Sequence, residues 1–261
     1  MLNDPTANAA ARPDAIILAA GQGKRMGGDL PKVLFPICDR PMVRWVIDAC
    51  FDAGVGRCIL IVGYKGELVR EAVADDDRCV FAEQHEQLGT GHATDMAAPL
   101  FENLPPRDVF VLAGDGPLIR GTTLKTLLDT HRQTQAGVTL ATALLDDPSG
   151  YGRVLRTADG DFDRIVEQKD ATPDQLAVRE VNPSYYCFQS AGLFGGLKHI
   201  DADNAQREFY LTDVPAWLKS QGKPVSLTDA VPPEDVLSIN TQTDLAKVDD
   251  IMKQRLAKER S

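Results

Sequence analysis

The residues best placed to do chemistry lie in one loop rich in glycine and cations. The loop lies in the stretch "AIILAAGQGKRMGGDLPKVLFP", from Ala15 to Pro36. Within 12 residues, this stretch contains two pairs of glycines and the cations Lys24, Arg25 and Lys32. Glycine lets backbone N–H groups approach an anion closely, and arginine and lysine neutralise phosphate charge. The composition therefore predicts a loop that binds a nucleotide by its phosphates.

Two common phosphate-binding motifs do not fit this loop. The dinucleotide fingerprint G-x-G-x-x-G needs a third glycine where Met26 stands. The P-loop motif needs a glycine where Leu18 stands and a hydroxyl where Arg25 stands. An ordinary strand-to-helix turn with surface cations explains one Gly-x-Gly, but explains two glycine pairs and three cations less well. The remaining hypothesis is an open triphosphate pocket at the end of a strand.

The elements that must position this loop alternate between strand-like and helix-like segments. The apolar patterns predict strands over residues 15–20, 57–63, 79–84, 108–115 and 137–145. Helical spacing predicts helices over residues 41–54, 67–75, 91–100 and 122–135. This order predicts an α/β fold with a doubly wound, mainly parallel sheet. Ligand-binding residues are then expected in the loops after strands, at 21–31, 84–91 and 114–118.

The second half of the chain has a different pattern, which predicts a small β-rich excursion. A hairpin is expected over residues 152–170, and a third strand over 179–189. Helices are predicted near 190–199 and 210–220, a last short strand over 235–240, and an amphipathic helix over 241–260. We therefore predict a disordered tail at 1–13, one domain at 14–240, and a C-terminal amphipathic helix at 241–261.

Composition excludes several classes of function. The 261-residue chain has a net charge of -10, which argues against bulk binding of nucleic acid or anionic membranes. Its five cysteines include no CxxC pair, which argues against a disulfide framework or structural zinc. The N-terminal segment has no signal-peptide pattern, and no apolar run reaches the roughly 20 residues of a membrane helix. We therefore expect a cytosolic protein, that is, a cytoplasmic location.

The loop also resembles the L-A-A-G-x-G-T-R-M…P-K signature of sugar-phosphate nucleotidyltransferases. Further segments follow in the order found in the uridylyltransferase domain of bacterial UDP-N-acetylglucosamine pyrophosphorylases: "EQLGTGHA", "LAGDGPLI", "DDPSGYGRV", "IVEQKDA", "EVN", "EFYLTD" and "SIN". The resemblance implies a Rossmann-like, nucleotide-diphospho-sugar transferase fold. It also implies magnesium-dependent transfer of UMP from UTP to N-acetylglucosamine 1-phosphate. The alternatives are another sugar 1-phosphate or NTP, such as glucose 1-phosphate, or a non-catalytic sugar-nucleotide sensor.

The same resemblance assigns roles to individual residues. Arg25 and Lys32 are expected to be the catalytic cations that face the phosphates, and Asp115 and Asn240 to hold Mg²⁺. From the residues alone, Asp115 is equally an N-cap or turn residue, and Asn240 an N-cap of the last helix. Gln84 is expected to pair with uracil by donating and accepting together. The residues assigned to substrate binding are Leu18, Ala19, Ala20, Gly21, Gly23, Gln84, Gly89, Thr90, Gly152, Glu167 and Asn182, the last three around the sugar.

Several positions depart from the family pattern. Gln22 stands where lysine is common, Gly116 where valine is usual, and Asn182-Pro183-Ser184 where the family has Asn-Thr-Gly. His92 is expected only to mark the start of a helix. The bacterial relatives continue into a hexapeptide-repeat acetyltransferase, and since no such repeat occurs here, acetyltransferase activity is not expected. Sequence leaves open the exact sugar, regulation, a homo-oligomer and a separate acetyltransferase partner.

Overall fold

The structure, a computed structural model, describes residues 12–229 and 231–259, which form thirteen strands and eight α-helices. The strands are β1 (Asp14–Ala19), β2 (Pro36–Ile37), β3 (Arg40–Pro41), β4 (Arg57–Val62), β5 (Cys79–Glu83), β6 (Asp108–Ala113), β7 (Val138–Ala141), β8 (Ala143–Leu144), β9 (Gly152–Arg156), β10 (Phe162–Val166), β11 (Glu180–Asn182), β12 (Tyr185–Gln189) and β13 (Val225–Thr228). The helices are α1 (Met42–Asp52), α2 (Gly66–Ala72), α3 (Thr90–Asp95), α4 (Gly121–Thr134), α5 (Pro173–Leu176), α6 (Ser190–Leu197), α7 (Val214–Ser220) and α8 (Gln242–Glu259). Of the predicted N-terminal tail, residues 1–11 lie outside the described residues.

A seven-stranded sheet forms the centre of the molecule, in the order β13-β7-β12-β6-β1-β4-β5. β1 lies parallel to β4 and β6, β5 is parallel to β4, and β13 is parallel to β7. β12 is antiparallel to both of its neighbours. The predicted doubly wound, mainly parallel sheet is thus confirmed. The carboxyl ends of β1, β4, β5 and β6 meet at one edge, where ligands of such sheets bind.

The central place of β1 follows from its continuous apolar sequence. Ala15 and Ile17 pack in one core cluster with residues of α1 and α4, whereas Ile16 packs in the opposite cluster with residues of α6 and α7. All three side chains are fully buried. A strand that is covered by helices on both faces needs apolar residues at consecutive positions, and β1 has them. This packing holds the start of the glycine-rich loop rigidly.

A smaller antiparallel sheet, in the order β10-β9-β11-β8, forms the β-rich excursion. The predicted hairpin is confirmed as β9 and β10. The single strand predicted over 179–189 is wrong, because it divides into β11 of this sheet and β12 of the main sheet. Pro183 has no N–H to donate, and Ser184 adopts φ +64, so the chain turns between the two strands. The strand predicted over 137–145 divides in the same way, into β7 and β8.

Two short segments near the C-terminal end of the domain also differ from prediction. Residues 235–240 form no strand, and Pro233–Val236 forms a 3₁₀ turn instead. The turn buries Asp235 completely, where it accepts hydrogen bonds from Arg120 and Arg255, and a buried carboxylate requires such partners. β13 was missed, although Val225 and Leu227 alternate with polar residues as in an edge strand.

The amphipathic C-terminal helix is confirmed as α8. Val248 and Met252 are buried, and Leu245 and Leu256 are partly buried against the same cluster. That cluster also contains Met26 of the glycine-rich loop, together with Ile37, Met42, Leu118 and Ile239. The apolar stripe of α8 therefore packs on the domain, next to the predicted site. None of the described helices has both the length and the apolar character needed to span a membrane.

Candidate active site

The loop after β1 folds closely over Lys32. Gly23 adopts φ +68, and a Cβ atom there would lie 2.8 Å from Cβ of Lys32, so this position requires glycine. The backbone N–H of Lys32 donates to the carbonyl of Gly21 at 3.2 Å. Within the described part of the chain, the N–H groups of Gly21, Gln22 and Gly23 have no acceptor. Neighbouring free amides of this kind suit the binding of an anion.

Four polar side chains from distant parts of the chain meet beside this loop. Arg25 donates from Nη2 to Oδ1 of Asn240 at 3.1 Å. The ammonium of Lys32 donates to the same Oδ1 at 2.7 Å, and also forms an ion pair with the carboxylate of Asp115. The structure therefore brings together the two predicted catalytic cations and the two predicted metal ligands.

The donor set of Asp115 and Asn240 fits a magnesium ion. One carboxylate oxygen and one amide oxygen converge on a single cationic group, the ammonium of Lys32. Mg²⁺ prefers such oxygen ligands, and usually takes one or two from protein and the rest from phosphates and water. Across residues 12–229 and 231–259, no group of three or more His, Cys, Asp and Glu side chains is arranged to hold a metal. A magnesium site here would therefore depend on this pair and on substrate oxygens.

Neither Asn240 nor Asp115 serves as the helix cap that sequence left open among the described residues. Oγ1 of Thr241 accepts from the N–H of Asp244 at 3.2 Å, and the Asp244 carboxylate accepts from the N–H groups of Asn240 and Thr241. These contacts cap α8 and leave the Asn240 side chain directed at the cations. Arg120 occupies the N-cap position of α4, and Asp115 lies five residues earlier in the chain. Among the described residues, the Asp115 carboxylate bonds to Lys32 and not to the start of a helix.

Gln84 lies buried at the end of β5 and has a fixed amide. Its Nε2 donates to the carbonyl of Gly89 at 3.2 Å and is 3.0 Å from Nδ1 of His92. Both amide hydrogens thus have protein acceptors, so the oxygen is what Gln84 can offer to a base, and not the predicted donor and acceptor together. Gln84 lines a cleft of about 450 Å³ with Tyr64 and His85. A larger cleft, about 570 Å³ between α1, α4 and α8, is lined by none of the predicted site residues.

The structure adds two residues to this side of the site that sequence reasoning missed. Gln87 donates from Nε2 to the carbonyl of Ala20 at 2.8 Å. This bond joins the loop after β5 to the residue that follows β1. His92, expected only to start a helix, contacts Gln84 directly. No local sequence pattern marks this contact, because Gln84 lies before α3 and meets His92 only once the intervening loop has folded.

Gly89 and Thr90 are held against a loop from the far end of the chain. The N–H of Phe209 donates to the carbonyl of Leu88, and Oγ1 of Thr90 accepts from the N–H of Leu211 at 3.1 Å. Gly89 adopts φ +109, and a Cβ atom there would lie 2.6 Å from the carbonyl oxygen of Phe209. Gly89 is therefore required both by its backbone conformation and by this close approach.

We expect Gly89→Ala to lower the free energy of unfolding by about 3 kcal/mol, because the new methyl group collides with backbone that cannot move freely. Urea unfolding measures the change. Gly160→Ala is the matched control, since Gly160 also has positive φ, +87, but nothing lies within 4 Å of an added Cβ. The control should lose about 1 kcal/mol, the cost of the backbone conformation alone. Equal losses in the two variants would show that the contact with Phe209 carries no energy.

The three predicted sugar-binding residues lie together across the small sheet. Gly152 pairs with Asn182 in the register of β9 and β11, and a Cβ atom on Gly152 would lie 3.6 Å from the Glu167 carboxylate. Burial raises the pKa of Glu167, although Thr212 donates to its Oε1 at 3.1 Å and lowers it in part. Thr212 was not singled out from sequence. These groups form a polar wall with a carboxylate acceptor suited to sugar hydroxyls.

Asn182 is held by its own neighbours. Its Nδ2 donates to the hydroxyl of Tyr186 at 2.5 Å, and its Oδ1 accepts from the N–H of Ser184 at 3.1 Å. The second bond supports the left-handed backbone of Ser184, which stands where the resemblance has glycine. The departure Asn182-Pro183-Ser184 thus keeps a sharp turn with different residues.

Asp213, next to Thr212, gives the site a measurable pH dependence of stability. Burial raises the pKa of Asp213 from 3.8 to about 6, and the charges of Asp201 and Asp170 add to the effect. Because the folded protein binds this proton more tightly than the unfolded chain does, the protonated carboxyl of Asp213 contributes stability. That contribution is present below pH 4 and is lost as the pH rises through 6. We therefore expect Asp213→Asn to be more stable than wild type at pH 8 by about 1–2 kcal/mol, and equally stable at pH 4.

Urea unfolding at pH 4, 5, 6 and 8 checks this expectation. Asp203→Asn is the control, because Asp203 lies exposed in the neighbouring loop and its replacement should change stability by a constant amount. A difference between Asp213→Asn and wild type that does not change with pH would contradict the pKa assigned to Asp213.

Two further departures from the family pattern have local explanations. A Cβ atom on Gly116 would lie 2.8 Å from the hydroxyl of Tyr185, which itself donates to the carbonyl of Asp235 at 3.2 Å. A side chain at Gly116 would therefore force the buried Tyr185 to shift. Gln22 lies beside the hydroxyl of Tyr64 and acts to lower its pKa, so a polar side chain without charge stands where the family pattern often has lysine.

Comparisons with known proteins relate this chain to nucleotidyltransferases. A family model described as a MobA-like NTP transferase domain matches residues 15–212. The bifunctional protein GlmU of Geobacter metallireducens is 43% identical over 245 residues, which cover 94% of this chain and 51% of that protein. GlmU of Heliobacterium modesticaldum is 44% identical over 244 residues, covering 93% and 52%. The chain thus spans about half the length of the curated relatives it matches.

A solved structure has the same fold. The crystal structure of a UDP-glucose pyrophosphorylase complexed with UDP-glucose superposes with a TM-score of 0.73. The match covers 94% of this chain and 99% of the other, at 14% sequence identity. The nucleotide-diphospho-sugar transferase fold expected from sequence is thereby confirmed.

Proposed function

Because the chain belongs to the family of MobA-like NTP transferase domains, we propose that it transfers UMP from UTP to N-acetylglucosamine 1-phosphate with the help of Mg²⁺. The products are UDP-N-acetylglucosamine and pyrophosphate. The observation that carries this proposal is the cluster of Arg25, Lys32, Asp115 and Asn240 at the edge where β1 and β6 end. The similarity to GlmU proteins over nearly the whole chain supports the choice of substrates.

The proposed reaction requires little covalent participation by the protein. An oxygen of the sugar 1-phosphate attacks the α-phosphorus of UTP, the bond from that phosphorus to the bridging oxygen of the β-phosphate breaks, and pyrophosphate leaves. The attacking phosphate is already ionised, so no general base is required. Phosphoryl and nucleotidyl transfers of this kind depend mainly on positioning and on neutralisation of charge.

The chain supplies both of these effects through named groups. The free N–H groups of Gly21, Gln22 and Gly23 can bind phosphate oxygens without moving, because Gly23 and Lys32 hold the loop in place. Arg25 and Lys32 lie where they can neutralise the charge on UTP and on the departing pyrophosphate. When bound by Asp115 and Asn240, Mg²⁺ would add further charge neutralisation at the phosphates.

The residues on either side of the cluster would recognise the uracil base and the sugar. On the base side, Oε1 of Gln84 can accept from the N3–H of uracil. On the sugar side, Glu167 offers acceptor oxygens to hydroxyls, while Gly152 and Asn182 border the same wall. A cytosolic location stays a prediction from sequence.

A panel of substrates tests the proposed function. Pyrophosphate release would be measured with each of the four NTPs against N-acetylglucosamine 1-phosphate, glucose 1-phosphate and galactose 1-phosphate. We expect the highest kcat/KM with UTP and N-acetylglucosamine 1-phosphate, and no release without a sugar 1-phosphate. A preference for glucose 1-phosphate would support the alternative substrate, for which the changed Asn182-Pro183-Ser184 turn is the reason. Binding of UDP-sugars with no turnover of any pair would support the sensor.

A further inference from the structure

Two groups orient the amide of Gln84: one can only accept a hydrogen bond, and the other can donate or accept. The carbonyl of Gly89 can only accept, so the Gln84 atom that faces it at 3.2 Å must be Nε2. Nδ1 of His92 lies 3.0 Å from the same nitrogen. Since Nε2 carries only hydrogens to offer, Nδ1 of His92 has to be the acceptor. The ring proton of a neutral His92 then resides on its Nε2.

This arrangement fixes what Gln84 presents to a ligand. With both amide hydrogens engaged, its Oε1 receives no hydrogen bond from any described residue. Gln84 lines the cleft of about 450 Å³ at the ends of β4 and β5, so the free acceptor belongs to the wall of that cleft. A pyrimidine ring placed there meets an acceptor that cannot become a donor unless the amide turns over.

We propose that His92 is a positioning residue that locks the Gln84 amide and thereby makes the site select uracil over cytosine. Uracil carries a hydrogen on N3 and can donate to Oε1, whereas N3 of cytosine is an acceptor and opposes Oε1. Turning the amide over would suit cytosine, but it would aim Oε1 at the carbonyl of Gly89 and at Nδ1 of His92. The turned Oε1 would then face one acceptor on each side, which makes that rotation unfavourable. The inference rests on the proposed use of a uridine nucleotide.

The test compares UTP and CTP in the pyrophosphate-release assay with three variants. His92→Leu removes the acceptor, His92→Asn keeps an acceptor oxygen near the position of Nδ1, and His85→Leu is the matched control. His85 lines the same cleft with an exposed ring, and among the described residues its side chain makes no hydrogen bond to the Gln84 amide. We expect His92→Leu to lower the UTP/CTP ratio of kcat/KM by about tenfold, the size of one lost hydrogen bond. His92→Asn and His85→Leu should keep the ratio of the wild type.

The ratio separates positioning from a general structural role, which would lower both rates together and leave the ratio unchanged. An unchanged ratio in folded His92→Leu would overturn the inference. If that variant does not fold, ¹⁵N NMR of histidine-labelled wild type decides, with the His92 signals assigned by their loss in His92→Asn. A proton on Nε2 and an unprotonated Nδ1 support the inference, and the opposite tautomer overturns it. A wild type that does not prefer UTP would instead refute the proposed function.

Discussion

Replacement of Asp115 by asparagine is expected to lower kcat by about 10³-fold at a fixed low concentration of Mg²⁺, because the site loses the only negative charge that its two ligands provide. Asparagine keeps the shape of the side chain and one of its oxygens, so the fold should be retained. Lys32 would keep its hydrogen bond to Oδ1 of Asn240, which limits any structural change. Initial rates measured over a range of Mg²⁺ concentrations would show activity that recovers in part as the cation is raised.

The matched control for this variant is Asp29→Asn. Asp29 lies exposed in the same loop region, where it pairs with Lys65 and accepts from the hydroxyl of Tyr64 at 2.7 Å. An exposed ion pair contributes little, so the control should stay within about threefold of wild type. A kcat for Asp115→Asn that equals that of Asp29→Asn, with the same dependence on Mg²⁺, would rule out Asp115 as a metal ligand.

Arg25→Ala is expected to lower kcat by about 10²- to 10³-fold while leaving thermal stability nearly unchanged. Arg25 is exposed, and among the described residues its recorded hydrogen bond is the one to Asn240. Little folding energy is therefore lost with its side chain. In the proposed reaction its guanidinium would neutralise the charge that builds up on the leaving pyrophosphate. Thermal melting and steady-state kinetics with UTP and N-acetylglucosamine 1-phosphate measure the two effects separately.

Lys24→Ala is the comparison that makes this result specific. Lys24 is the preceding residue of the same 3₁₀ turn, is also exposed and carries the same charge, but among the described contacts it makes no hydrogen bond to Asn240. Its loss should reduce kcat by less than about threefold, since the general field of one exposed charge is weak. Similar losses in both variants would mean that the loop acts through its total charge and that the position of Arg25 has no special role.

Much of this site followed from the sequence because parallel strands place their ends at one edge of a sheet. The continuous apolar runs of β1 and β6 located the loop of Arg25 and the aspartate Asp115 at that edge. The resemblance selected Arg25 and Lys32 among the loop's three cations and added Asn240, which lies 208 residues from Lys32 and whose contact with it no local pattern contains. The structure confirms that these side chains meet.

Other features depend on contacts that sequence patterns do not express. Residues 179–189 read as one strand, since the apolar run hides a backbone turn that Pro183 and Ser184 impose. Gly116 stands where valine is usual, and only the fold shows that the hydroxyl of Tyr185 lies 2.8 Å from where a Cβ atom would be. The orientation of the Gln84 amide is set by a histidine eight residues away, and only the fold determines which of its two polar ends is free.

The central claim, that this chain joins UMP to a sugar 1-phosphate, is tested most directly by ³¹P NMR of a single reaction. The mixture contains the protein, UTP, N-acetylglucosamine 1-phosphate and Mg²⁺, with a second sample in which the cation is chelated. We expect the paired diphosphate signals of a UDP-sugar and the signal of pyrophosphate to grow in equal molar amounts, and only where Mg²⁺ is free. Consumption of UTP to UDP and inorganic phosphate, or no change in any phosphorus signal with all components present, would contradict the claim.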